Sequence, residues 1–196
     1  MKFLFDLGGV FFDWDPNHFF KDIFDKVEER EYFLTEVCND EWNIQQDAGR
    51  TIKEAEAVLI PKFPQYEKQI KMYYQNHRNM IRGIFNLSIH VLDKLKKKNY
   101  ECYVLSNWSA ETFVGMTDDY PFLQSFNGLL ISGEDNLMKP DAAIYELAIN
   151  RFNLTPQETV FIDDKLENIE AAKKLNLKTI HLVDPNIIEL EIDKFI

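Results

Sequence analysis

Residues 159–183 read TVFIDDKLENIEAAKKLNLKTIHLV, and this stretch decides the fold. Thr159 to Asp164 is a short apolar run closed by two acids, the pattern of a buried strand. Residues 166–176 carry helical spacing, and residues 178–183 return to a strand. Strand, helix and strand in that order predict a parallel sheet covered by helices. Outward toward the N-terminus the same alternation continues. PDAAIYELAINRFN (140–153) reads as a helix, FNGLLIS (126–132) as a strand, ECYVLS (101–106) as a strand, and residues 88–100 as a helix with Ile89, Leu92 and Leu95 on one face. The chain begins with KFLF (2–5), an apolar run stopped by Asp6-Leu7-Gly8-Gly9. From residue 16 to residue 82 the pattern is helical and rich in Glu, Lys, Tyr and Phe, with no strand evident. The expected fold class is therefore α/β, a parallel sheet sandwiched by helices. A small all-helical cap (16–82) follows the first strand and interrupts a core made of residues 1–15 and 83–196.

Composition narrows the function classes. At 196 residues and 45% hydrophobic content the chain can bury a substantial core. Its 22 basic and 33 acidic residues give a net charge of −11, which repels nucleic acid and anionic membrane, so neither is an expected partner. Cys38 and Cys102 stand far apart without metal-ligand spacing, and no signal peptide or apolar run of roughly 18 residues is evident, which makes the cytoplasm the expected compartment.

Parallel sheets present ligands at the carboxyl ends of their strands. At those ends the sequence places Asp6, then Ser106 and Asn107, then Met138-Lys139-Pro140, then Asp163 and Asp164. Three carboxylates gathered there repel one another, and Lys139 offers one compensating charge. Hard oxygen ligands and surplus negative charge point to Mg²⁺. Asp6 is placed to act as a nucleophile, with Ser106, Asn107 and the amides near Leu7 and Gly8 cradling phosphate oxygens. Each group also has a plainer reading. Asp6 can cap a turn, Ser106-Asn107 and Asp163-Asp164 can cap helices, Lys139 can be a surface lysine, and Trp108 can serve packing as readily as face a substrate. The four histidines lie at no metal-ligand spacing and read as structural.

FDLGGV, VLSN, MKP and FIDDKLENIEAA, in this order and spacing, resemble the haloacid dehalogenase-like hydrolase superfamily, in the branch with a small helical cap. The likeness covers nearly the whole chain. DDYPFLQSFNGLLIS, MKPDAAIYELA and AGRTIKEAE extend it toward bacterial sugar-phosphate phosphatases of the alpha-glucose-1-phosphate phosphatase type. The resemblance implies a Rossmann-like core and a Mg²⁺-dependent hydrolase of a small phosphorylated metabolite, working as a monomer or weak homodimer. It implies Asp6 as nucleophile and metal ligand, Gly8 as a ligand through its carbonyl, and Ser106 and Asn107 as phosphate binders. It makes Lys139 the cation holding nucleophile and phosphate, Asp164 a direct metal ligand, Asp163 a ligand directly or through water, and Asn168 a brace for Asp164.

One departure matters. Phosphatases of this superfamily usually carry an aspartate two residues after the nucleophile to protonate the leaving oxygen, and Gly8 stands there. Either another acid such as Asp13 or Asp15 acts, or the leaving group departs readily. A 2-haloacid dehalogenase needs no such acid, because halide leaves unprotonated. However, it attacks carbon without metal, which would leave Asp163 and Asp164 uncompensated beside Asp6. A catalytically impaired binding protein is the third alternative.

Overall fold

The computed structural model describes residues 1–196. Strand β1 (Lys2–Phe5) explains the architecture on its own. Successive strand side chains point to opposite faces. Phe3 and Phe5 enter a cluster of 24 buried residues, while Leu4 enters a separate cluster of 12. A strand apolar on both faces must be covered on both, which is why KFLF sits at the centre of its sheet.

The other strands are β2 (Phe12–Trp14), β3 (Ile81–Ile84), β4 (Glu101–Ser106), β5 (Gly128–Ile131), β6 (Thr159–Asp163) and β7 (Lys178–His181). Five of them form one parallel sheet in the order β5-β4-β1-β6-β7. Phe5 lies opposite Val104 on one side and Ile162 on the other, so the carboxyl ends of β1, β4 and β6 finish level. Helix Asn86–Lys97 buries Val91, Leu92 and Leu95 on one face of the sheet. Helices Ala142–Arg151 and Leu166–Lys174 bury Ile144, Tyr145, Ala148, Ile169 and Ala172 on the other. The fold is the expected α/β sandwich of Rossmann-like type.

Between β2 and β3 the chain runs through helices Asn17–Phe20, Val27–Tyr32, Asp40–Asp47, Ile52–Leu59 and Glu67–Gln75. These enclose a third cluster of 12 buried residues, dominated by Phe20, Phe24, Phe33, Trp42, Tyr73 and Tyr74. Thr51 and Glu54 form a reciprocal capping box that starts one helix, and the Asn39 side chain caps another.

The structure differs from the sequence reading at the junction. β2 and β3 pair antiparallel, Phe12 opposite Ile84 and Asp13 opposite Gly83, so Ile81 and Arg82 are strand residues and not part of a helical run. Strands of three and four residues containing Asp13, Arg82 and Gly83 show no apolar alternation, so period alone did not reveal them. No helix is long and apolar enough to cross a membrane.

Candidate active site

The sheet delivers Asp6 rigidly. Its N–H donates to the Ile162 carbonyl at 2.9 Å, continuing the ladder one residue past β1. Three donors then converge on a single carboxylate oxygen, Oδ1: the Leu7 N–H at 2.7 Å, the Ser106 hydroxyl at 2.7 Å and Lys139 Nζ at 3.0 Å. None of these donors is assigned to Oδ2, which leaves one oxygen oriented and uncommitted.

Lys139 is buried, with its ammonium shared between Asp6 and Asp163 Oδ2, the latter at 2.7 Å. Its backbone is clasped by Asn107, whose side chain accepts from the Lys139 N–H at 2.8 Å and donates to the Lys139 carbonyl at 2.9 Å. Asn107 was expected to bind phosphate. Its amide side chain instead fixes the lysine loop, and its own N–H, with no partner in the chain, is the group left to meet an anion.

Asp163 is fully buried, and its oxygens accept from Lys139, from the Lys165 N–H at 2.8 Å and from Asn168 Nδ2 at 3.0 Å. One expectation is corrected here. Asn168 braces Asp163 and not Asp164, because the helix starting at Leu166 turns its amide back to the buried member of the pair. Asp163 accepts from three donor groups, Lys139 among them, while one of its oxygens still lies within reach of the Asp6 and Asp164 carboxylates. Asp164 is half-buried and carries no such load. It packs against Gly9, where φ is +67° and any Cβ would lie 2.6 Å from the Asp164 carboxyl. Gly9 is thus a requirement of the site that the sequence reading, concentrating on Gly8, passed over; the Gly-Gly doublet was its signal.

One oxygen from each of Asp6, Asp163 and Asp164 lies within 4.8 Å of the others. Burial pushes the Asp6 carboxyl up to about 6, Lys139 opposing and Asp163 and Asp164 adding to the rise. Burial and the neighbouring Asp163 likewise raise Asp164. Burial alone would lower the Lys139 ammonium, and the two carboxylates overcome it, holding that pKa above the ordinary lysine value. The cluster is short of positive charge, and its hard oxygen donors suit Mg²⁺. Asp6 and Asp164 have oxygens to give. Nothing in the chain donates to the Gly8 carbonyl, which leaves it available as a third ligand.

The remaining candidates fall elsewhere. Trp108 is buried among Phe12, Phe113 and His77, with its backbone N–H donating to the Ser132 hydroxyl, so its body serves packing. Asp13 is tied to His18 at 3.1 Å and to Arg82 at 2.6 Å. Asp15 caps the turn at Asn17. The two acids that the sequence offers for the missing side chain are thus engaged, Asp13 in ion pairs and Asp15 in a turn cap. Cys38 and Cys102 are buried free thiols.

The family model for haloacid dehalogenase-like hydrolases matches residues 3–182. A sesquiterpene phosphatase of Aspergillus oryzae is 24% identical, covering 92% of this chain and 89% of its own. A HAD family enzyme of Bacteroides thetaiotaomicron, solved in complex with magnesium and inorganic phosphate, is 26% identical with a TM-score of 0.69, covering 91% of this chain and 92% of that one. A HAD-like family hydrolase from Porphyromonas gingivalis shares the fold at 22% identity, with a TM-score of 0.70 and 97% of both chains covered. The chain belongs to the haloacid dehalogenase-like hydrolases.

Proposed function

We propose that this hydrolase is a Mg²⁺-dependent phosphatase of a small phosphorylated metabolite, with a sugar phosphate as the preferred class. The observation that carries the reading is Asp6 itself. One oxygen is held by three donors while the other is uncommitted, beside two further carboxylates and one buried lysine. The magnesium and phosphate bound to the Bacteroides relative and the phosphatase activity named for the Aspergillus relative support it. The sugar-phosphate preference rests on the sequence resemblance.

In this mechanism the Asp6 carboxylate attacks phosphorus, forming an aspartyl-phosphate as the bond to the leaving oxygen breaks, and water then releases inorganic phosphate. Lys139 sits between Asp6 and Asp163, where it steadies the nucleophile and meets charge developing on the phosphoryl oxygens. The Ser106 hydroxyl and the Asn107 N–H line the same edge and are suited to those oxygens. Magnesium would be held by Asp6, Asp164 and the Gly8 carbonyl and would supply charge neutralisation for phosphoryl transfer. Residues 16–82, which return through the β2-β3 ribbon to the mouth of the site, act as its cap, with 1–15 and 83–196 as the core.

A dehalogenase is disfavoured by charge, since a metal-free centre would leave Asp164 unpaired next to a nucleophile already raised by its neighbours. The test is a panel of phosphorylated metabolites and p-nitrophenyl phosphate with and without Mg²⁺. Turnover that survives excess EDTA, or chloride release from 2-chloropropionate, overturns the proposal.

A further inference from the structure

We infer that Asp47, at the end of helix Asp40–Asp47, is the general acid that protonates the leaving oxygen in place of the side chain absent at Gly8. The inference rests on the phosphatase reading above.

The geometry starts from how residues 47–52 are stitched to the core. The helix Asp40–Asp47 packs on the turn Ser132–Asp135. Two residues after Asp47, Gly49 has φ +99° and lies so close to the Asn136 side chain that no Cβ fits between them. Asn136 belongs to the loop that carries Lys139 into the site. Three residues further on, the Ile52 N–H donates to Glu111 Oε1 at 2.7 Å, on the core helix Ala110–Phe113 that follows Ser106, Asn107 and Trp108. The segment is anchored on both sides of the phosphate-binding edge, and Asp47 faces the Ser109 N–H there, within electrostatic reach of Asp6, Lys139 and Lys165. On its own side, Tyr73 and Tyr74 of helix Glu67–Gln75 lie within the reach of its charge.

The acid has the right protonation for the task. Burial drives the Asp47 carboxyl up to about 7; Lys165, Lys139 and the Ser109 N–H restrain the rise, and Asp6 adds to it. Its place at a helix C-terminus, where carbonyl dipoles disfavour negative charge, acts in the same direction. A general acid works best with a pKa near the operating pH. Asp13 and Asp15, by contrast, are engaged in an ion pair and a turn cap. The balance is simple. As the Asp6–phosphorus bond forms, the phosphorus–oxygen bond breaks, its electron pair stays on the leaving oxygen, and that oxygen takes the Asp47 proton. Asp47, now a carboxylate, takes a proton back from the water that attacks the aspartyl-phosphate, which regenerates both acids' starting states.

The test compares wild type, Asp47→Asn and the double variant Gly8→Asp/Asp47→Asn on p-nitrophenyl phosphate and phenyl phosphate with Mg²⁺. Phenolate, with a conjugate acid of pKa about 10, needs protonation far more than p-nitrophenolate. A Cβ at position 8 meets nothing within 4 Å, so the added aspartate has room. Asp47→Asn is expected to lose on the order of 10²-fold in kcat on phenyl phosphate and distinctly less on p-nitrophenyl phosphate, with Gly8→Asp restoring much of the difference. In wild type the phenyl phosphate rate falls as pH rises through Asp47's pKa, and that limb disappears in Asp47→Asn. Equal losses on both esters, a KM change alone, or no rescue by Gly8→Asp in a double variant that retains the wild-type thermal transition overturns the role of Asp47 alone. A wild-type enzyme inert on both esters overturns the phosphatase reading and this role with it.

Discussion

The carboxyl edge of the sheet and the helical segment beside it solve opposite problems. At the edge, charged groups are held by assigned hydrogen bonds, so that Asp163 alone accepts from Lys139, Lys165 and Asn168. In the helical segment, order comes from rings. Phe20, Phe24, Phe33 and Tyr73 meet at centroid distances of 5.0 to 6.0 Å in tilted pairs. The seam between them is where satisfaction fails. Trp14 Nε1, His77 Nδ1 and Trp108 Nε1 are buried without partners, and the His77 ring lies 5.9 Å from Trp14 and 5.5 Å from Trp108. Directional bonds fix the charged groups in place, whereas the helical segment is ordered by apolar packing, which is non-directional.

The largest effect is expected from Asp6→Asn, which should lower kcat by at least ~10³-fold while leaving the thermal midpoint unchanged or raised, since it relieves like-charge crowding at the edge. Phosphate release assays and calorimetry on the same protein check this. A variant that lost stability in proportion to activity would erase the distinction between the two regions. Lys139→Met should cost ~3–5 kcal/mol in urea unfolding, because Asp163 is left buried without its counter-charge. An effect below ~1 kcal/mol would mean that the edge is not held by its charges.

Acidification should open the seam. Burial pushes the His77 imidazole down to about 4. The unfolded chain takes up a proton near pH 6.5, before the folded one does, so stability is full above that pH and is lost as pH falls toward 4, by up to ~3 kcal/mol. Urea titrations across pH 4 to 7 should show this slope, and His77→Phe should flatten it. The smallest effect is expected at Arg78, which ties the seam to the core through Asp119 at 2.9 Å and the Thr112 and Val114 carbonyls. Arg78→Ala should cost ~1 kcal/mol and raise KM a few-fold with kcat little changed, the mark of a contact that sets closure and not chemistry.

Much of the edge was legible in the sequence because its residues follow strands. An apolar run ended by Asp6, Ser106 or Asp163 announces both the strand and its carboxyl end, and spatial convergence follows from parallel pairing. The division of labour within the edge was not legible. Nothing in IDDKLEN tells which of Asp163 and Asp164 faces Lys139, since adjacent residues at a strand end diverge by local backbone turns. Asn168 was accordingly assigned to the wrong partner, and Asn107, one residue past Ser106, became a clasp for the lysine loop. The β2-β3 ribbon was hidden for another reason. Its seven residues, with Asp13 and Gly83 opposite each other, carry no alternation, and pairing across nearly seventy positions is long-range information.

The sequence by itself determined the sheet, its order of strands and helices, the family, and the set of acids and lysine at the edge, because these depend on local periodicity and on motifs that sit at element ends. Only the tertiary structure decided which oxygen of Asp6 is uncommitted, why Gly9 admits no side chain beside Asp164, and that the segment after helix Asp40–Asp47 is anchored to the core at Asn136 and Glu111. Those are contacts between segments far apart in the chain, set by how the helical segment packs on the core.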